Sequence, residues 1–208
     1  MNGRGISLCM LVKNVQSGIG RAIESVKHQV NEIVIVDDGS NDNTIGIAQA
    51  HGAKIHLLPS PVREIGFGQA VNFMLDKCTC DWILMLDGDE FLERGDLHPL
   101  MRYPNNNVWA LPRRKWDNYE KGARAELEAY PDYQPKFFKN LPQNRFLGEM
   151  HIQWRGDKIH NAWRGPHIEH LQKQYRSPDK EAQRKPLYEK LAQMQGVAVD
   201  GGHVLEKK

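Results

Sequence analysis

The stretch VIVDDGSNDNT, residues 34–44, decides how this chain folds. Its continuous apolar run is typical of a strand buried on both faces, and the run ends abruptly in acidic, turn-forming residues. The stretch LMLDGDE, residues 84–90, repeats the pattern. Strands that are apolar on both faces belong to parallel sheets covered by helices, so both stretches predict an α/β protein.

Strand and helix patterns alternate through the N-terminal half. The predicted strands are the apolar runs 6–12, 32–36, 54–58 and 82–86. Between them apolar residues recur at helical spacing, and Gly52 is placed to end a helix that begins near Thr44. The alternation predicts a Rossmann-like fold, with a mostly parallel central sheet flanked by helices. Ligands of such sheets bind outside the carboxyl ends of the strands, where both acidic stretches lie.

The patterns of the C-terminal half are weaker. Residues 108–111 and 136–138 are short strand candidates, separated by a long, charged and irregular stretch at 113–130. Long loops over a rigid scaffold tend to carry function or to move. Arg113, Arg114 and Lys115 open this stretch, where they either contact phosphate or an anionic acceptor or are simply solvated.

The end of the chain is typical of an extension to the main domain. Ser177-Pro178-Asp179 indicates a helix start, and Pro186 is expected to break or kink that helix. Residues 196–208 contain two adjacent glycines and are expected to be frayed. We therefore predict one α/β domain over residues 1–172 and a helical extension with a frayed tail over residues 173–208.

Composition excludes several classes of protein. The formal net charge is only +2, whereas a non-specific nucleic-acid binder carries a clustered basic excess. The three cysteines, Cys9, Cys78 and Cys80, lack disulfide-like spacing and indicate a reducing compartment. No apolar stretch approaches the roughly 18 residues of a transmembrane helix, and no secretory h-region follows the first residues, so we expect neither kind of segment. We expect a cytoplasmic protein without a nucleic-acid partner, whose only membrane contact would be peripheral.

Asp87-Gly88-Asp89 is a DxD motif at the end of a strongly apolar strand. Two carboxylates one residue apart at a strand end can share a hard divalent cation with a diphosphate. Mg²⁺ and Mn²⁺ both prefer oxygen ligands, so the motif predicts one of these ions as cofactor. The middle glycine, Gly88, lets the backbone pass close to a ligand.

The DDGS string, residues 37–40, allows two interpretations. Asp and Ser are favoured in turns and at helix starts, so the string is expected to shape a turn before the next helix. Alternatively, one of its carboxylates accepts hydrogen bonds from a nucleobase or ribose.

Together the two acidic stretches resemble those of the inverting family-two glycosyltransferases of the GT-A fold. ISLCMLVKN (residues 6–14) is similar to the first strand of that family, and GQAVNFML (residues 68–75) to the helix after its third strand. YPDYQPKFF (130–138) and RFLGEMH (145–151) resemble the branch that contains lipopolysaccharide-core β-glucosyltransferases. The resemblance extends over roughly residues 6–191.

The resemblance implies a role for individual residues. Asp38 would bind the uracil edge, Asp87 the ribose or a metal-bound water, and Asp89 the metal that bridges the diphosphate. The family often takes a further metal ligand from a histidine near the end of the domain; His170 fits its pattern better than His167. The remaining positions expected to contact the nucleotide-sugar are Val12, Asn14, Gln69, Gly88 and Lys136.

Two departures from the branch concern the reaction itself. Lys136 stands where the branch usually has arginine, which keeps the charge but loses the bidentate fork. The usual His-Glu pair is His151-Ile152 here, so the general base must be another acid. Asp132, Glu149 and Glu169 are the nearby candidates. Glu169 should point to the face opposite the metal histidine, and we choose Glu149, which follows a glycine and lies nearest the usual position.

The resemblance therefore predicts a metal-dependent inverting transferase. It would move a sugar from a nucleoside-diphosphate sugar, most simply a UDP-hexose, to a hydroxyl of a glycan, a lipid-linked molecule or a small molecule. One alternative is a non-catalytic or hydrolytic nucleotide-sugar-binding protein, favoured by the missing glutamate. Another is a nucleotidyltransferase, which would carry a glycine-rich basic phosphate loop; residues 13–20 (KNVQSGIG) do not form one.

Overall fold

The computed structural model describes residues 3–124, 130–171, 178–194, 199–200 and 203–204. Its strands are β1 (Gly3–Val12), β2 (Glu32–Asp37), β3 (Lys54–Leu57), β4 (Cys80–Met85), β5 (Glu90–Arg94), β6 (Val108–Asn118), β7 (Ala123–Arg124), β8 (Asp132–Lys139), β9 (Arg145–Leu147), β10 (Gln153–Arg155), β11 (Ile159–Asn161), β12 (His167–His170), β13 (Val199–Asp200) and β14 (His203–Val204). Its α-helices are α1 (Ile19–Val26), α2 (Thr44–Ala50), α3 (Val62–Leu75) and α4 (Pro178–Met194), and His98–Arg102 form a 3₁₀ helix.

The N-terminal half forms the predicted α/β unit. β3, β2, β1 and β4 lie side by side in that order and are all parallel. The apolar runs place these strands in the core: Leu8, Val34 and Leu84 are fully buried. Gly52 follows α2 with a φ of +79° and ends it, as predicted. The α/β fold predicted from the alternation of strands and helices is confirmed.

The C-terminal half continues the same sheet with strands of mixed direction. Beyond β4 the order is β8, β6, β12 and β5; β4–β8, β8–β6 and β12–β5 are antiparallel, and β6–β12 is parallel. The short strand β11 pairs in parallel with the first residues of β6. The second half therefore extends the sheet on the side of β4 that faces away from β1.

The prediction of a long irregular stretch over residues 113–130 is wrong. β6 runs on to Asn118 and turns back into β7, while residues 125–129 lie outside the described part of the chain. Both edges of β6 are paired: Arg113 lies opposite Asp132 of β8, and Arg114 opposite Glu169 of β12. The local composition indicated a loop because it is rich in charged residues. The acids that neutralise these arginines are distant in sequence, so the strand could not be recognised locally.

The sequence predicts that Pro186 breaks or kinks the helix; the break is wrong, since α4 continues past this residue. Its next two turns pack Leu191 and Ala192 into a cluster with Ala70 of α3, so tertiary burial offsets the lost backbone hydrogen bond. The predicted cap Ser177 lies outside the described residues, as does most of the tail predicted to fray, in which β13 and β14 form an antiparallel pair. No helix in the described ranges is long and apolar enough to cross a membrane.

Glu32 joins all four parallel strands at the edge opposite the acidic stretches. Its side chain is 4% exposed and accepts from the Ser7 hydroxyl at 2.6 Å and the Lys54 ammonium at 2.8 Å. The backbone N–H and hydroxyl of Thr79, just before β4, donate to it at 2.8 and 3.0 Å. Burial acts to raise the pKa of Glu32, but these hydrogen bonds from Lys54, Ser7 and Thr79 outweigh it and lower the pKa to about 2.

We predict that Glu32→Gln lowers the free energy of unfolding by about 1–3 kcal/mol at neutral pH, the scale of a hydrogen bond to a charged group. Because the folded pKa lies below the unfolded value of about 4.3, the carboxylate stabilises the protein above that pH. Its contribution is lost as the pH falls toward about 2. Urea denaturation of both proteins across this range should show the two stabilities converging in acid. A difference that does not change with pH would contradict this account.

Candidate active site

The loops that follow β1 and β2 are joined by hydrogen bonds in both directions. The backbone N–H groups of Asn14 and Val15 donate to the hydroxyls of Ser40 and Thr44, at 2.9 and 2.7 Å. In return, the Asn14 side chain accepts from the backbone N–H of Asn41 at 2.7 Å. Asn14 has a φ of +52°, which asparagine tolerates better than most residues. The polar residues of the first acidic stretch therefore hold these loops together at the strand edge.

The two aspartates of this stretch have different partners. Asp37 is buried and accepts from the backbone N–H of Ser40 at 3.0 Å, which shapes the turn. The Asp38 carboxylate accepts from the backbone N–H of Val62, at the start of α3, at 2.9 Å. It also accepts from the ammonium of Lys13 at 3.2 Å. Each interpretation of the DDGS string therefore applies to a different residue. Asp37 forms the turn, and Asp38 remains the candidate to accept a hydrogen bond from a nucleobase or ribose.

The DxD turn lies between two strands that fix its position. β4 ends just before it, and β5 begins at Glu90, which pairs with His170 of β12 in antiparallel register. This register places the His170 Nε2 atom 3.3 Å from Asp89 Oδ2. The backbone N–H of Leu171 also donates to the Asp89 carbonyl at 2.8 Å. The β5–β12 pairing thus brings together the two residues predicted to bind the metal.

The two candidate histidines have different surroundings. His170 is 5% exposed, and its Nδ1 has no hydrogen-bond partner among the described residues. The His167 Nδ1 atom lies 2.7 Å from the Tyr130 hydroxyl, and the two rings are stacked. His170, and not His167, is therefore the histidine placed beside Asp89.

Gly88 packs against the loop that follows β1. A Cβ at this position would lie 2.7 Å from the Val15 Cβ, closer than real Cβ atoms approach. Gly88 is buried by this contact. The need for glycine thus comes from a contact within the protein, in addition to the predicted passage of backbone near a ligand.

Lys136 and Arg113 lie against the DxD turn and are both paired with carboxylates. The Lys136 ammonium donates to Asp87 Oδ2 at 3.2 Å and lies 2.8 Å from Glu90 Oε2. The Arg113 guanidinium donates to Glu90 at 3.0 Å and to Asp132 at 2.6 Å. The interpretation of Arg113 as a simply solvated charge is therefore wrong, since its side chain is only 14% exposed.

Burial and ion pairing act in opposite directions on the buried charges of this cluster. Burial acts to lower the pKa of Lys136, but Asp87 and Glu90 outweigh it and raise the pKa. Burial acts to raise the pKa of Glu90, but Lys136, His170 and Arg113 hold it well below its usual range. The ion pairs therefore keep both groups charged at neutral pH.

The three acids considered as general base are in different environments. Asp132 is bonded to Arg113; burial acts to raise its pKa, but this contact and Gln134 lower it, which weakens it as a base. Glu169 is fully buried and accepts from Trp116 and Arg114, away from the cavity. For Glu149, no side-chain hydrogen bond or ion pair is found among the described residues.

The backbone around Glu149 is pressed against α3. The N–H groups of Phe67 and Gly68 donate to the carbonyls of Glu149 and Gly148, at 2.7 and 2.9 Å. A Cβ at Gly68 would lie 2.5 Å from the Gly148 oxygen, so this approach requires glycine. α3 has non-helical torsions at Gly66, next to the contact. The position of Glu149 is thus set by two backbone hydrogen bonds.

A cavity of about 680 Å³ covers the strand ends and the DxD turn. Its polar lining comes from Lys13, Ser17, Asp87, Gly88, Asp89, Arg113, Gln134 and Lys136. Its apolar lining comes mainly from Phe67, Val71, Met74, Phe146, Met150, Ile152, Trp154, Leu187 and Tyr188, on α3, the β9–β10 region and α4. The volume falls within the usual range of small-molecule sites, about 300–1,000 Å³.

Six of the predicted positions are not among the residues that line this cavity: Val12, Asn14, Asp38, Gln69, Glu149 and His170. Val12 is 2% exposed, and its carbonyl accepts from the Asp38 backbone N–H at 2.9 Å. Gln69 is exposed on α3, two residues from both Phe67 and Val71, which line the cavity; a two-residue step turns a helical side chain to another face. Glu149 is not a lining residue, although Met150 next to it is.

Sequence reasoning missed two contributions to the site. Glu90 directly follows the DxD motif, so its position was visible, but its buried contacts depend on β6 and β8. Leu187 and Tyr188 come from the helix expected to break at Pro186. No local signal in the sequence indicated that α4 closes one side of the cavity.

The Asp89–His170 pair fits a divalent cation. Two ligands bound side by side to one ion at about 2.0–2.2 Å are separated by about 3 Å, close to the observed oxygen–nitrogen distance. Within the described ranges, no group of three or more His, Cys, Asp or Glu side chains is arranged to hold a metal. The remaining ligands would have to come from water and from phosphate oxygens, as Mg²⁺ sites in nucleotide-binding proteins commonly arrange.

Comparison with known proteins assigns the chain to a family. The model of "Glycosyl transferase family 2" matches residues 7–167. This chain belongs to glycosyl transferase family 2. An uncharacterized glycosyltransferase of Rickettsia felis is 39% identical over 89 residues, 43% of this chain and 30% of that protein. The lipopolysaccharide core biosynthesis glycosyltransferase LpsC of Rhizobium meliloti is 30% identical over 118 residues, 53% of this chain and 43% of that protein.

Among solved structures, S. aureus TarS in complex with UDP is similar in fold. The similarity covers 88% of this chain and 64% of the TarS chain, with a TM-score of 0.57 and 15% sequence identity. The predicted GT-A architecture is thereby confirmed. The present chain spans less than half the length of each of the two curated relatives named above.

Proposed function

We propose that this chain is a metal-dependent inverting glycosyltransferase that uses a UDP-hexose as donor. The observation that carries the proposal is the DxD carboxylate Asp89 beside His170, at the carboxyl edge of the parallel strands of a family-2 chain. A cavity large enough for a small molecule lies beside this pair and is lined by Asp89.

The first acidic stretch binds the nucleobase of the donor, and the second binds its diphosphate. Asp38 accepts from the uracil N3–H, and Lys13, which is 46% exposed, swings away from the carboxylate to make room. The diphosphate lies against Lys136 and the DxD turn. Asp89 and His170 would hold Mn²⁺ or Mg²⁺, which would neutralise charge on the leaving diphosphate.

The transfer itself needs a base on the face of the sugar opposite the diphosphate. An acceptor hydroxyl oxygen attacks the anomeric carbon while the bond from that carbon to the diphosphate oxygen breaks, which inverts the configuration. The side chain of Glu149 would have to turn toward the cavity that its neighbour Met150 lines, and its carboxylate would then take up the hydroxyl proton. UDP leaves with the bonding electrons. The acceptor is a glycan, a lipid-linked molecule or a small molecule that enters along the apolar wall of α3, β10 and α4.

The first test concerns the metal. His170→Ala should weaken Mn²⁺-dependent UDP binding by about 10-fold or more, because even changes outside the ligand shell of metal sites cost about 10–100-fold. Asp89→Ala should abolish the effect of Mn²⁺, and EDTA should abolish transfer from UDP-sugars. Calorimetric titration of UDP with and without Mn²⁺ measures the binding.

The matched control is His167→Ala, which removes a histidine from the same strand that does not contact Asp89. It should leave the Mn²⁺ dependence unchanged. Equal losses in the two histidine variants, or full turnover in EDTA, would contradict the metal assignment.

The second test concerns the nucleobase. Asp38→Asn keeps an oxygen that can accept from the Val62 N–H but presents an amide donor to the uracil N3–H. It should weaken UDP binding by about 1–3 kcal/mol, the scale for a hydrogen bond to a charged group. Calorimetry with UDP and with inorganic pyrophosphate separates base from phosphate binding. Unchanged UDP affinity, or an equal loss for pyrophosphate, rejects the assignment.

The third test concerns the general base. Glu149→Gln should leave UDP affinity intact and lower kcat by about 10²–10⁴-fold, because an amide cannot take up the hydroxyl proton. Asp132→Asn is the comparison, since Asp132 is the alternative acid. Near wild-type turnover of the Glu149 variant, together with a large loss in the Asp132 variant, would transfer the role to Asp132.

A further inference from the structure

Glu90 is a fully buried carboxylate behind the proposed donor site. It is the first residue of β5, and its side chain is 0% exposed. Removal of a carboxylate from water costs several kcal/mol unless charges and hydrogen bonds replace the lost hydration. A buried ion pair adds little to stability compared with well-packed apolar residues, so stability alone is a weak reason to place this charge here.

In the described part of the chain, the Glu90 carboxylate forms hydrogen bonds and ion pairs with residues that line the cavity. One oxygen accepts from Arg113 at 3.0 Å, and the other lies 2.8 Å from the Lys136 ammonium. The second oxygen also accepts from the backbone N–H of Asp87, at 3.0 Å, so it fixes the first residue of the DxD motif. Arg113, Lys136 and Asp87 all line the cavity, whereas Glu90 does not.

Lys136 depends on such a contact more than an arginine would. A guanidinium is planar and holds its donors in a fixed fork, but an ammonium is a point charge on a flexible stem. The direction of the Lys136 ammonium is therefore set by the acceptors around it. These are Glu90 at 2.8 Å and Asp87 at 3.2 Å, and the lysine side chain is only 6% exposed.

We propose that Glu90 is the positioning residue of the donor site, and that it acts by holding Lys136 and Arg113 toward the diphosphate and by fixing the DxD turn. Groups oriented before the ligand arrives do not have to reorganise during the reaction, which is the main source of electrostatic catalysis. The proposal rests on the proposed function, since it assigns a diphosphate to the cavity these cations line.

Glu90→Gln tests the proposal, with Glu32→Gln as matched control. Both glutamates are buried, both are paired with a lysine, and Glu32 lies at the opposite edge of the sheet. We expect Glu90→Gln to weaken UDP binding in Mn²⁺ and to lower kcat, each by about 10–100-fold, the usual cost of changing a residue that orients a metal site. Glu32→Gln should lose stability while UDP affinity and kcat per folded molecule stay at the wild-type values.

A double-mutant cycle separates positioning from general damage to the fold. If Glu90 acts through Lys136, Glu90→Gln should cost much less UDP affinity in a Lys136→Gln background than in the wild type. An equal cost in both backgrounds would overturn the claim that Glu90 acts through Lys136, and wild-type UDP affinity in the Glu90 variant would overturn the whole proposal.

The binding measurements distinguish this proposal from the proposed function. A wild-type chain that binds UDP with Mn²⁺ but transfers no sugar contradicts the transferase reaction, and the UDP affinities still decide the role of Glu90. A wild-type chain that binds no UDP contradicts both.

Discussion

A carboxylate taken out of water needs cations and hydrogen-bond donors around it, and this constraint organises both edges of the sheet. At the amino edge of the parallel strands, Glu32 is surrounded by donors from three neighbouring segments of the chain. At the carboxyl edge, Glu90 is met by Lys136 and Arg113. The mixed strands of the second half supply these cations. The charged stretch that was predicted to be a loop therefore supplies a cation that stabilises the buried carboxylate beside the cavity.

The same constraint explains which parts of the fold were predictable from sequence. Strands such as β2 and β4 bury apolar side chains on both faces, and that pattern is local, so their type and approximate position follow from a few consecutive residues. Gly52 was predictable as a helix end for the same reason. β6 was not, because its strand character depends on pairing with β8 and β12, whose residues lie far along the chain.

The position of a site residue was predictable where the residue directly follows its own strand. Asp89 and the turn-forming Asp37 follow directly from strand ends, whereas the proximity of His170 to Asp89 depends on the β5–β12 register. The exposed position of Gln69 was not predictable, because a family-like string does not fix which face of a helix a side chain occupies. The predicted helix break at Pro186 is wrong because the packing of the following turns outweighs the tendency of proline to end a helix. The local sequence thus determines which residues follow a strand, while long-range strand pairing determines which distant residues contact them.

The central claim is that a nucleoside diphosphate binds at the carboxyl edge through Asp38, the DxD turn and His170. A crystal structure of the chain with UDP and Mn²⁺ tests this most directly. The account predicts anomalous density for Mn²⁺ between the Asp89 carboxylate and His170 Nε2, with the diphosphate against Lys136 and the uracil edge at Asp38. A UDP bound elsewhere in the cavity, or Mn²⁺ held without Asp89 and His170, would contradict it.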